Sequence, residues 1–133
     1  MSKKHALCSD EELLQMLEAR AKIRGQELEE GLPSRANAQF EVMVKLSCEL
    51  LRRGQSGRQA ILALLRSDHP YVREWAAFLA LEFEASRGEE VLEEIVQNYS
   101  RGLGLTAKFT LEQWRKGELK TLSQWDCKYL KIT

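Results

Sequence analysis

One stretch limits the possible folds more than any other: Asp68-His69-Pro70-Tyr71-Val72-Arg73-Glu74-Trp75-Ala76-Ala77-Phe78-Leu79-Ala80-Leu81. Asp68 can cap a helix, and Pro70 falls in its first turn, where a missing N–H costs nothing. Val72, Trp75, Ala76, Leu79, Ala80 and Phe83 then recur at spacings of three and four, the stripe of one helix face. Trp75 to Leu81 carries no charge at all. A helix that is apolar nearly all round is covered on several sides, so this one is expected at the centre of the fold.

The rest of the chain reads as more helices. Two prolines and eight glycines in 133 residues favour long helices over many turns. Ser9 with Glu12 fits a capping box that opens a first helix bearing Leu13, Leu14, Leu17 and Ala21. Gly25 is placed to end or bend it, and Gly31-Leu32-Pro33 stops it. Ser34 or Asn37 opens a second helix with Phe40, Met43, Val44, Ser47, Leu50 and Leu51, closed by Arg52-Arg53-Gly54. A short third helix runs from about Ser56 to Arg66, with Ile61, Leu64 and Leu65 inward, and leads into the Pro70 helix.

Ser86 with Glu89 suggests another capping box, opening a fifth helix with Val91, Leu92, Ile95, Val96 and Tyr99 inward. Gly102 and Gly104 break the chain. A sixth helix carries Ala107, Leu111 and Trp114 and ends at Lys116-Gly117. The tail holds Leu119, Leu122, Trp125, Tyr129, Leu130 and Ile132, too apolar to hang free, and is expected to pack back as a short helix or an extended segment. Residues 56–85 and 86–116 form two faint copies of a helix pair, the signature of stacked hairpins.

Composition narrows the function. The 20 basic and 20 acidic residues cancel. Gripping nucleic acid runs on excess Lys and Arg, so that role is unlikely on charge alone. Three widely spaced cysteines, Cys8, Cys48 and Cys127, are not a disulfide framework. They fit a reducing cytosol, and no run approaches the length of a membrane span. The expectation is a cytoplasmic protein.

The motif Asp68-x-Pro70-x-Val72-Arg73 followed by Ala76-Ala77 and Leu79 looks like the hairpin of HEAT-type repeats. Residues 37–119 further resemble a small uncharacterised bacterial family, a domain of unknown function with a HEAT-like helical fold. The matching pieces are Asn37, Glu49-Leu50-Leu51-Arg52, Ala60 to Leu65, Val72-Arg73, Ala76-Ala77, Glu90-Val91-Leu92, and Ala107 through Leu111, Trp114, Gly117 and Glu118. The resemblance implies an all-α, right-handed superhelical stack of about six helices in antiparallel hairpins. It implies one domain, with a core over about 10–119 and an extension over 120–133. It carries no catalytic residues, and a fold alone does not assign a function.

Few residues suggest chemistry. Gly-x-Ser-x-Gly is absent, and His69 has no nucleophile suggested beside it. His5-x-x-Cys8 could form a metal site only by joining Cys127, and metal sites show tighter paired spacing. No cofactor and no catalytic residue is expected. Charge is segregated, however. From Leu81 to Ser100 six Glu face one Arg, a net −5; from Arg101 to Thr133 seven basic residues face three acidic, a net +4. The acidic run reads as a solvated helix face or as a dock for a basic partner. The basic third, with Trp114, Trp125 and Tyr129, offers phosphate contact and stacking.

The expected function is therefore non-enzymatic protein binding. An immunity protein that covers a toxin's active site is its most concrete form, and a nucleic-acid binder using the basic third is the alternative. The expected surface lies on the second, fourth and sixth helices, through Tyr71, Arg73, Lys108, Glu112 and Arg115, with Glu90 and Glu94 from the acidic run. Arg73 is also suited to pair with a turn Asp such as Asp68. The expected assembly is a monomer or a weak homodimer.

Overall fold

In a computed structural model, which describes residues 3–125, the protein is all-α. After one helical turn, α1 (Lys3–Ala6), come six helices of ten residues or more: α2 (Asp10–Glu29), α3 (Pro33–Arg52), α4 (Gln55–Leu64), α5 (Pro70–Ala80), α6 (Ala85–Asn98) and α7 (Leu103–Arg115). A 3-10 turn follows at Leu122–Gln124. The chain divides into two compact units: the first runs to Ile61, inside α4, and takes in Trp125, and the second is Leu62–Gln124.

The first unit is built on the α2–α3 hairpin. Ser9 accepts from the Glu12 N–H while the Glu12 carboxylate accepts from the Ser9 N–H at 2.8 Å, so the capping box forms as the spacing predicts. Leu13, Leu17 and Ala21 are buried on α2, and Ala36, Met43, Val44, Leu46 and Leu50 on α3. Leu14 is only half-buried. Burying each leucine contributes about 2 kcal/mol. Gly25 neither ends nor interrupts α2; it is buried within it, and the helix runs on to Glu29. The stop comes at Gly31, which takes a φ of 71°. α3 starts at Pro33 rather than at Ser34 or Asn37, and its N-cap Leu32 supplies no side-chain bond.

Arg53, one residue past α3, ties the first unit together. Its guanidinium donates to Asp10 at 2.8 Å and to Glu49 at 3.0 Å, and reaches the carbonyls of His5 and Ala6. Elsewhere in this unit, Arg24 lies over the Phe40 ring, which also meets Trp125 at 6.0 Å.

The second unit packs α5 and α7 against α6. Nine of the eleven α5 residues are buried, Tyr71 and Glu74 among them, as the uncharged run requires. Asp68 does not cap α5. His69 occupies the N-cap, and its N–H donates to the Ser67 hydroxyl at 3.1 Å. α6 begins at Ala85, two residues earlier than a Ser86 cap needs, so the second capping box does not form. On α6, Leu92 and Ile95 are fully buried, Val91 and Val96 half-buried, and Tyr99 exposed.

Gly88 lets α5 and α6 approach: an added Cβ would lie 2.8 Å from the Ala77 carbonyl oxygen. Beyond α7, Leu122 is fully buried and Ser123 bonds to Glu82, so the described start of the tail packs back as a 3-10 turn. Cys127, Lys128, Tyr129, Leu130, Lys131 and Ile132 lie outside the described residues.

Candidate functional site

Several charged groups of the second unit pair with one another. Glu89 does not turn back to Ser86. Its carboxylate accepts from the Trp114 indole N–H at 3.2 Å and pairs with Arg115 at 3.4 Å. Arg115 also pairs with Glu93, and these carboxylates raise its pKa above the ordinary arginine value, Glu93 contributing most. The acidic run of α6 and the basic end of α7 thus attract each other within this unit.

Arg73 is likewise committed. It donates to the Ser67 carbonyl at 2.9 Å and forms an ion pair with Glu94 at 3.5 Å. It therefore holds the turn through a backbone oxygen and α6 through Glu94; Asp68 takes no part in these two contacts. Tyr71 is 9% exposed, which takes most of its ring out of reach of a partner. Nine of the eleven α5 residues are buried, which leaves little of this helix at the surface. Of the seven residues expected to bind, Glu90, Lys108 and Glu112 stay exposed without an ion pair among the described residues.

Lys108 and Glu112 share the solvent side of α7 with two residues that sequence reasoning missed. Leu105 is 59% and Phe109 60% exposed. On a helix, positions four apart lie one above the other. The opposite side of α7 holds the buried Leu103, Ala107 and Leu111. The signal was available: at about 100° per residue, Leu105 and Phe109 fall roughly opposite Ala107 and Leu111. Gly104 fixes the start of this helix, because a Cβ there would lie 1.6 Å from the Tyr99 carbonyl oxygen.

An open cleft of about 540 Å³ also lies in the second unit, lined by Glu82, Trp114, Gly117, Leu119, Thr121 and Gln124. Its carboxylate, Glu82, accepts from the Ser123 hydroxyl at 2.5 Å, and Gln124 accepts from the Thr121 N–H at 2.9 Å. The lining contains no histidine, cysteine or lysine to pair with that acid. Among the described residues, no three His, Cys, Asp or Glu side chains gather as metal ligands, and no helix is long and apolar enough to cross a membrane.

The fold defines a small all-helical protein with an exposed face on α7. The chain belongs to the family described as Domain of unknown function (DUF2019), whose model matches residues 11–114. It is also similar to the crystal structure of the protein RPA1889 from Rhodopseudomonas palustris CGA009, at 26% identity and a TM-score of 0.80, over 86% of this chain and 94% of that one. Among curated proteins none matches.

Proposed function

We propose that this protein is a non-enzymatic protein-binding module and that its contact surface is the solvent side of α7. One observation carries the reading: Leu105 and Phe109 stand side by side in water, each about three-fifths exposed. Grouped, rather than scattered, exposed apolar side chains mark surfaces that a partner covers. Lys108 and Glu112 supply the polar rim that such contacts carry around an apolar centre. An immunity protein, which covers a toxin without chemistry of its own, is the most concrete form of such a module.

Nucleic-acid binding draws less support. Arg115 already holds two carboxylates, and the Trp114 indole is anchored to Glu89. Both are therefore less available for phosphate contact and stacking than the composition suggests.

The test is a pull-down from the source cells with the tagged wild-type chain and with Phe109→Asp, at low and moderate salt. One stoichiometric protein that survives moderate salt and falls roughly tenfold with the variant fits the proposal, since tenfold is what losing one good apolar contact gives. Nucleic acid that washes off as salt rises would contradict it. So would a partner that both baits retain equally.

A further inference from the structure

We propose that the α7 face closes on a second copy of this chain, the two α7 helices crossing antiparallel about a two-fold axis close to Lys108. This deepens the reading above and rests on α7 being the contact surface. The argument is the self-complementarity of the face. A two-fold contact uses the same patch on both subunits, so each group must find its complement within that patch. Leu105 and Phe109 supply an apolar centre that meets its own copy. The charges are arranged to pair across the axis as well.

The geometry follows from the helical rise. With the crossing at position 108, position 112 of one copy is level with position 104 of the other. Glu112 then lies about 6 Å along the axis from Lys108 of the second copy, and Arg101 of that copy stands two residues before the start of its α7. Long side chains span that offset. Arg101, Lys108 and Glu112 are all exposed, and none of them forms an ion pair among the described residues. The arrangement repeats by symmetry, so each Glu112 faces Lys108 of the other copy, with Arg101 near the same end. Tyr99, 36% exposed just before α7, borders the same end.

A single helix pair buries less than the ~1,200 Å² at the low end of stable interfaces. The association is therefore weak and concentration-dependent. The experiment is sedimentation equilibrium of the full chain from low-micromolar to near-millimolar concentration. The wild type is compared with Phe109→Asp, with Glu112→Arg, with Arg101→Glu/Lys108→Glu, and with the triple charge swap that combines the last two. Melting curves confirm that each variant folds.

The wild type should approach twice the monomer mass at the upper end. Phe109→Asp should remain a monomer. Glu112→Arg and the double variant should each raise the dissociation constant roughly tenfold or more, and the triple swap should recover most of that loss. A wild type that stays monomeric throughout overturns self-pairing. It leaves the binding module standing if Phe109→Asp still loses its partner in the pull-down. A dimer untouched by Phe109→Asp, or a triple swap no better than either half, also overturns the proposal.

Discussion

Glu89 stands where a capping box would use it, three residues after Ser86, yet its carboxylate faces Trp114 and Arg115. Glu89→Ala should cost about 1–2 kcal/mol in urea melts, because it strands a half-buried indole N–H and releases Arg115. A change near zero would mean that the contact is incidental. Gly88 beside it is tighter still. Gly88→Ala forces a Cβ against the Ala77 carbonyl and the Leu81 side chain, and about 1–3 kcal/mol should be lost. Acid should reveal a third set of residues. Asp10, bonded first to Arg53 and then to Ser56, is held below its ordinary 3.8, and Glu12, bonded to the Ser9 N–H, below its ordinary 4.5. A carboxyl whose pKa falls on folding stabilises fully above the unfolded value and loses that contribution as pH falls through the folded one. Stability of the first unit should therefore drop below about pH 4.5, and Asp10→Asn should flatten part of that fall in acid melts.

Elements show which signals a sequence can carry. Ser9 and Glu12 form their capping box because everything it needs lies within four residues. The same spacing at Ser86 and Glu89 fails: α6 starts at Ala85, and Glu89 instead meets an indole and a guanidinium of α7 that local spacing cannot foresee. Ser9→Ala should thus cost about 1 kcal/mol, whereas Ser86→Ala, exposed in the first turn of α6, should change stability by no more than about 0.5 kcal/mol. Equal effects would contradict the assigned caps. The centrality of α5 was legible for a different reason: a run of seven uncharged residues leaves no polar side to turn to water. The same burial removes Tyr71 from the surface that the alternation of hairpins assigned to it. The ends of α2, α3 and α7 were legible from Gly31, Gly54 and Gly117, all at positive φ. The Leu105–Phe109 pair was hidden because Ala107, Leu111 and Trp114 already give α7 an apolar stripe. A second stripe on the far side of a helix already given a core face shows only when every apolar position is placed on the wheel.

At the scale of the whole molecule, the charge balance of zero conceals a segregated pattern that is then partly cancelled inside the second unit. Three of the four clustered glutamates of α6 pair with Arg73 or Arg115, and Glu90 stays exposed. Among the described residues, the α7 face is where the exposed Leu105 and Phe109 stand together with unpaired charged groups. That face is the account's central claim, and site-specific photo-crosslinking in the source cells tests it most directly. A photoreactive residue is placed at Phe109, and at Leu7, 87% exposed on the first unit, as the control. The account predicts one discrete protein adduct from position 109, either a partner or a second copy of the chain, and none of comparable yield from position 7. No adduct at 109, or the same adducts from both positions, would contradict it.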